Sequence, residues 1–433
     1  MHVPLRPPAE VLRIADTLEK AGFETWCVGG AVRDALLGHQ HLDWDLATAA
    51  RPQQVRSLFP RTVPVGIEFG TVGVLDVNGV MHEVTTFRRD VHTDGRHAVV
   101  DFGVSLDEDL ARRDLTINAI AFSPSTGEIR DPFAGRADLA NGIVRAVGEP
   151  GERLGEDRLR GLRAIRFAAR FGFSLDAPTW DAIVASAPHL TRLSAERVKQ
   201  EIEKTVEQVR YPGRAFRLWR ECGALKVLIP AISSMTDIHL AALDNTALPQ
   251  TGSGSGRKIL RLTVLFSAAP ASGVTDGLRA LRFSNADAAW IGSIVSRWSA
   301  LAAEMRSTLV ASNHPADAVL RRWAAIAGRT RLASVLRLAN SHWRAERDAG
   351  LAAPAAACVG SVYRRAVRIA YRDPIEIADL AVNGRDLERI GISGPAAGQT
   401  LRYLLQTVIN DPASNAHAIL LDAARKQVSH GRE

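Results

Sequence analysis

The chain has 433 residues, 46% of them hydrophobic and 23% charged, with a net charge of +7 and a pI near 9.7. That is enough for about two to four domains with real cores. The basic balance favours a polyanionic partner such as nucleic acid, although with only six lysines the excess is written almost wholly in arginine, as a GC-rich genome would also write it. Cys27, Cys222 and Cys358 are too widely spaced for a disulfide framework or a CxxC metal site. No signal-peptide pattern opens the sequence, and no run of about 18 apolar residues predicts a membrane span. The expected setting is a reduced, cytoplasmic one with no membrane partner.

In chain order, Pro7-Pro8 predict the start of a helix that runs to about residue 20, stopped by Gly22. Val11, Leu12, Ala15 and Leu18 follow its period. Residues 25–28 read as a short buried strand. Gly29-Gly30 turn the chain into a second helix that ends at Gly38, and residues 43–47 alternate like a strand. Two further strands, 72–77 and 80–86, flank the hairpin signal Asn78-Gly79. From about Glu152 the pattern becomes helical, with amphipathic segments at 158–171, 178–186 and 194–209, and no convincing strand follows. Composition predicts a flexible linker at 246–256 and a weaker break at 352–357.

Two motifs carry chemistry. In Asp43-Trp44-Asp45, strand alternation puts both carboxylates on one face. Paired carboxylates together with triphosphate oxygens suit Mg²⁺, an octahedral oxygen-seeking ion. An isolated Asp-x-Asp is usually a solvated turn. Here Gly29-Gly30 stand about a dozen residues upstream, where glycine lets backbone approach phosphate and a helix N-terminus adds N–H donors. The second motif, Arg112-Arg113-Asp114-Leu115-Thr116-Ile117-Asn118-Ala119, supplies cations for the phosphates. Glu83, on the strand after Asn78-Gly79, is a candidate third carboxylate or general base, with an exposed strand glutamate as the equal alternative.

Gly-Gly-x-Val-Arg-Asp, Asp-x-Asp and Arg-Arg-Asp-x-Thr-Ile-Asn-Ala resemble, in order, the motifs of the bacterial-type (class II) tRNA nucleotidyltransferases and the poly(A) polymerases related to them. The resemblance covers residues 20–210. It implies an α+β fold, with a polymerase-beta-like head (a mixed sheet with helices) followed by an all-helical neck, body and tail. It implies that Asp43 and Asp45 bind catalytic Mg²⁺ and that Gly29, Gly30, Arg33, Arg112 and Arg113 meet the triphosphate. Asn118 would support the ribose or local backbone. Asp131-Pro132-Phe133-Ala134-Gly135 looks like the hinge between head and neck.

Glu156-Asp157-Arg158-Leu159-Arg160 resembles the family's protein template. Asp157 and Arg160, three apart on a predicted helix, would be neighbours. A carboxylate only accepts and a guanidinium only donates. Together they match the amine-beside-acceptor edge of cytosine and adenine and oppose the reversed edge of uracil and guanine. Each buried mismatch costs roughly 1–3 kcal/mol. Arg163 and Arg166 match further triphosphate-contacting positions. Ser194, a plausible N-cap, and Glu201 belong to a last motif read as mainly structural. Residues 92–97 resemble the family's flexible loop.

The C-terminal half resembles relatives with an HD phosphohydrolase-like region, but Phe266-Ser267 stand where His-Asp is expected and Asp237-Ile238-His239 is at most a remnant. A degenerate region without that activity is expected. The resulting division is head 1–140, neck 141–212, body 213–300 and a tRNA-binding tail 301–433. The implied activity is addition of CMP and AMP from CTP and ATP to the tRNA 3′ end, with the acceptor arm as partner and no stable protein partner. A poly(A) polymerase, an enzyme adding only CC or only A, and a non-catalytic RNA-binding relative remain as alternatives.

Overall fold

The computed structural model describes residues 5–40, 43–93, 98–246, 254–312 and 314–430. The backbone forms two compact units, Met1–Pro230 and Ala231–Glu433.

The first unit opens with α1 (Ala9–Lys20), preceded by Pro8 and stopped at Gly22 with φ +86°. Then come β1 (Thr25–Val28), α2 (Gly30–Leu36), β2 (Asp45–Thr48), α3 (Pro52–Leu58), β3 (Thr62–Gly66), β4 (Thr71–Leu75) and β5 (Met81–Thr86). A hairpin of β6 (Arg88–Thr93) and β7 (Ala98–Phe102) leads to α4 (Leu106–Ala111), whose N-terminus carries a capping box of Ser105 and Glu108. Short strands β8 (Ala121–Phe122) and β9 (Ile129–Arg130) follow. Seven strands make one mixed sheet in the order β3-β4-β5-β2-β1-β8-β9. β3, unpredicted, holds Pro64, which an edge strand tolerates because its missing N–H costs no ladder bond. The Asn78-Gly79 hairpin forms with a longer loop than two residues: the Asp76 carboxylate accepts from the N–H groups of Asn78 and Val80, at 2.8 Å each.

Alternation along β1 and β2 sorts their side chains. Trp26, Val28 and Ala47 face α4, packing with Leu106, Leu110, Phe87 and Val147. Asp45 lies on that same face, opposite Val28 in the antiparallel register, so the paired-carboxylate segment and the Gly29 turn emerge at one end of one core.

The rest of this unit is α5 (Gly135–Asn141), β10 (Ile143–Val144), α6 (Pro150–Glu156), α7 (Leu159–Phe171), β11 (Ser174–Leu175), α8 (Ala177–Ser186), α9 (Ala195–Gln208), α10 (Pro212–Glu221) and α11 (Ala224–Leu228). The helical region therefore contains one strand, β11, pairing in parallel with β10. At two residues it is too short to leave a periodic signal. The Asp131-to-Gly135 segment is a tightly capped turn. The Asp131 carboxylate accepts from the N–H groups of Gly135 (2.7 Å) and Arg136 (2.9 Å), and a Cβ on Gly135 would fall 2.2 Å from the Thr116 carbonyl oxygen.

The second unit is helical: α12 (Asp237–Asp244), α13 (Gly254–Phe266), α14 (Val274–Ala280), α15 (Asn285–Ala311), α16 (Asp317–Ala327), α17 (Leu332–Asp348), α18 (Ala356–Arg372), α19 (Gly384–Glu388), α20 (Gly394–Asn410) and α21 (His417–His430). The expected break at 352–357 is the link between α17 and α18. Most of the expected linker, residues 247–253, and loop residues 94–97 lie outside the described residues. Where the HD motif was sought, Ser267 and the buried His342 share a 2.9 Å hydrogen bond, and His239 meets His342 edge-on. Among the described residues no helix is long and apolar enough to cross a membrane.

Candidate active site

A cavity of about 780 Å³ in the first unit collects twelve of the thirteen expected site residues: Gly29, Gly30, Arg33, Asp43, Asp45, Arg112, Arg113, Asn118, Asp157, Arg160, Arg163 and Arg166. Glu83 is the exception. It sits on β5 beside Asp45, one residue before the Leu46–Val84 register pair, but does not line the cavity.

The glycine turn is made by backbone geometry. Gly29 has φ +76°, a conformation that L side chains resist, and a Cβ there would lie 3.1 Å from Arg113 Nη1. Glycine thus serves both the turn into α2 and the close approach of the Arg113 guanidinium. Asp43 and Asp45 flank Trp44, which is buried. Burial, then the neighbouring Glu83 and Asp43 carboxylates, push the Asp45 carboxyl up to about 7 against the pull of Arg113. Such crowded like charges fit a divalent cation, which would relieve the repulsion. Among the described residues no cluster of three or more metal-type side chains closes around a point.

The cations are held by carboxylates set behind them. The Asp109 carboxylate is buried and accepts from Arg112 Nε at 3.0 Å and Arg113 Nη2 at 3.1 Å. Arg113 Nη1 also donates to the Asn118 carbonyl at 3.3 Å. Asn118 is a hub: its Oδ1 accepts from Arg33 Nη1 and its Nδ2 donates to Asp114 Oδ1 at 2.9 Å. Asp114 Oδ2 in turn accepts from Arg163 Nε at 2.7 Å. Burial alone would raise the Asp114 carboxyl, but Arg163 and the Asn118 hydrogen bond hold it down at about 2. It stays an anion that orients its neighbours.

The template pair departs from its expected geometry. Asp157 is not on the helix with Arg160. It precedes α7 with φ −149°, and its Oδ1 accepts from the Leu159 N–H at 3.1 Å. A residue that caps a helix end adopts extended backbone, so the three-residue spacing no longer implies contact. Asp157 Oδ2 instead accepts from Arg197 Nη2 at 2.6 Å, while Arg160 pairs with Glu156 and donates to the Arg112 carbonyl at 3.1 Å. Both side chains still face the one cavity. Arg166 lines it too, yet its Nε is committed to buried Glu201 at 2.5 Å. Ser194 caps α9 as expected, accepting from the Arg197 N–H at 3.4 Å.

Sequence reasoning missed Asp114, Phe167, Arg170, Arg197, Lys204 and Gln208 as cavity-lining residues. Asp114 lies inside the Arg112-to-Ala119 motif, and Arg170 continues the Arg163, Arg166 helical series. Arg197 lies inside the last motif, read as mainly structural, while Lys204 and Gln208 had no local signal because they reach the cavity through packing of α9 on α7. In all, eight arginines and Lys204 face four aspartates, a balance suited to a polyphosphate.

A mixed-sheet head with paired carboxylates beneath a fan of arginines defines the nucleotidyltransferase class. Residues 25–145 match the poly A polymerase head domain, and residues 172–236 match the probable RNA and SrmB- binding site of polymerase A. The crystal structure of the Bacillus stearothermophilus CCA-adding enzyme in complex with CTP is similar at 33% identity and TM-score 0.73, covering 98% of this chain and 100% of that one. The chain belongs to the CCA-adding enzyme family. Enzymes of this family are nucleotidyltransferases that use divalent metal ions. The CCA-adding enzyme of Geobacillus sp. (strain WCH70) is 43% identical over 244 residues, 56% of this chain and 60% of that protein. That of Leuconostoc mesenteroides subsp. mesenteroides is 49% identical over 193 residues, 44% of this chain and 48% of that protein. The chain thus spans 48–60% of the length of these curated relatives. The Thermotoga maritima CCA-adding enzyme complexed with tRNA shares the fold at 20% identity and TM-score 0.66.

Proposed function

We propose that this protein adds CMP and AMP, drawn from CTP and ATP, to the 3′ end of tRNA without a nucleic-acid template. The observation that carries the proposal is the convergence of Asp43, Asp45, the Gly29 turn and the arginine fan on one cavity. The 3′ hydroxyl loses its proton to solvent as its oxygen bonds to the α-phosphorus, the bond from that phosphorus to the bridging oxygen breaks, and pyrophosphate leaves. Asp43 and Asp45 would hold Mg²⁺, which when bound neutralises phosphate charge and acidifies the hydroxyl. Glu83, beside Asp45, is positioned to set the charge of that pair. Arg112, Arg113, Arg33 and Arg163 face the triphosphate with the Gly29-Gly30 backbone, and Asn118 keeps Arg33 and Asp114 in register. Asp157 and Arg160 present an acceptor and a donor to the base edge. Arg166, tied to Glu201, contributes mainly field and packing. Head 1–140, neck 141–212, body 213–300 and tail 301–433 are assigned to catalysis, base choice, support and tRNA grip, in a cytoplasmic enzyme.

The test supplies folded protein, Mg²⁺ and all four nucleoside triphosphates to three tRNA transcripts, ending at the discriminator base, in C and in CC. Sequencing of the 3′ ends should show ordered growth to CCA, then arrest. Arrest at CC, action on the CC transcript alone, or run-on into A tracts assigns a narrower enzyme of the family. No incorporation on any transcript overturns the proposal.

A further inference from the structure

A second basic cavity, of about 610 Å³, lies wholly within the second unit, between α17 and α18. Arg337, Arg344 and Arg347 fall at helical spacing along one face of α17, and Arg364 joins them from α18. The only carboxylate in the lining is Asp348. It stands 3.9 Å from Arg344, with both side chains more than half exposed, so it neutralises little. Arg347 donates to the Pro354 carbonyl, an uncharged acceptor. Arg337 and Arg364 have no ion-pair partner among the described residues.

Five other arginines of the unit differ in this respect. Arg306, Arg321, Arg322, Arg329 and Arg365 are each matched to a carboxylate: Glu346, Asp373, Glu304, Asp379 and Asp317. Within this cavity most of the positive charge is left uncompensated. The floor between the arginines is apolar, formed by Leu336, Ala356 and Val359, with Tyr363 at its side.

A bare inorganic anion would satisfy the guanidinium groups but leave that floor uncovered, and a purely apolar ligand would do the reverse. A ligand with a flat apolar moiety and phosphate oxygens satisfies both, and the volume is that of a small-molecule site rather than a duplex-wide surface. We propose that the α17–α18 cavity is a second nucleotide-binding site, taking a nucleoside phosphate either free or as one unpaired residue of an RNA strand. The assignment does not depend on the chemistry of the first unit.

The experiment is position-resolved hydrogen exchange on the full chain, with ATP, a short single-stranded RNA oligonucleotide and inorganic pyrophosphate as separate probes. Slowed exchange in residues 332–348 and 356–372 is expected with ATP or with the oligonucleotide. Protection by ATP places a free nucleotide there, and protection by RNA alone places a residue of a strand. The effective probe should bind about tenfold more weakly to the Arg344→Ala/Arg364→Ala variant. Arg337→Gln, at an exposed position, gives the same readout should the double variant fail to fold. Equal protection by pyrophosphate overturns the nucleotide assignment. So does absence of protection with every probe, or unchanged affinity in the folded variants.

Discussion

The two units spend arginine differently. In Met1–Pro230 eight arginines converge on one cavity, and carboxylates fix the direction of several: Asp109 for Arg112 and Arg113, Asp114 for Arg163, Glu201 for Arg166. In Ala231–Glu433 several arginines instead tie one element to another, as in Arg321–Asp373 and Arg365–Asp317. A sequence pI near 9.7 cannot distinguish these uses. What separates them is whether the carboxylate sits behind the guanidinium, leaving its outer donors for a ligand, or beyond it, completing a strut.

The largest effect expected is at the carboxylates that face the fan. Asp43→Ala should abolish tRNA 3′-end extension, by at least about a hundredfold, with the circular-dichroism spectrum unchanged. Turnover close to wild type would remove the metal assignment. Next is the pair that joins α7 to α9. Arg166 and Glu201 are 4% and 2% exposed, so Glu201→Ala leaves a buried charge unpaired and should lower unfolding free energy by about 3–5 kcal/mol. Asp317→Ala breaks a pair whose side chains are 31% and 56% exposed and should cost under about 1 kcal/mol. Denaturant midpoints of the two variants test the contrast directly, and equal losses would erase the distinction between braced and strut arginines.

Base choice should respond at the next level down. Asp157→Ala should raise UTP and GTP use relative to CTP and ATP about tenfold, the equivalent of one buried hydrogen bond at roughly 1–3 kcal/mol. Because Asp157 pairs with Arg197, Arg197→Ala should move selectivity in the same direction, measured as kcat/KM ratios across the four nucleotides. Unchanged ratios in both would leave Asp157 a helix cap and nothing more.

How much of this was legible in the sequence follows from the range of each interaction. α1, β1 and the Gly29 turn are local, and their signals lie within a few residues; the strand expected over 43–47 begins only at Asp45, so Asp43 precedes it and strand alternation does not place the two carboxylates. The Asn78-Gly79 hairpin was visible, although the Asp76 carboxylate that shapes its loop was not singled out. β3 was hidden by Pro64, and β11 by its length. The cavity's membership was legible for twelve residues because those residues stand in ordered motifs. Its wiring was not. Asp157 was placed on a helix from spacing alone, whereas its partner Arg197 is forty residues away and meets it only because α9 packs on α7.

Among the effects on activity, the smallest tests a kind of bracing unlike the carboxylates. Phe167 and Phe171 stack with ring centroids 5.9 Å apart and an interplanar angle of 8°. The Arg33 guanidinium lies 4.7 Å from one ring and 5.0 Å from the other, with Arg166 at 4.4 Å from Phe167 and Arg170 at 5.0 Å from Phe171. A ring face attracts a cation without cancelling its charge, so these phenyl groups add to the orientation of arginines that Asp34 and Glu201 only partly neutralise. Each such contact is worth about 0.5–2 kcal/mol. Phe167→Leu keeps an apolar side chain and removes the π face. It should therefore raise KM for CTP severalfold with kcat nearly unchanged, because a binding contact present before and during reaction is lost. Phe167→Tyr, which keeps the face, should restore KM. A packing role alone would instead lower stability in the leucine variant without this KM-against-kcat split, and tyrosine would then rescue nothing.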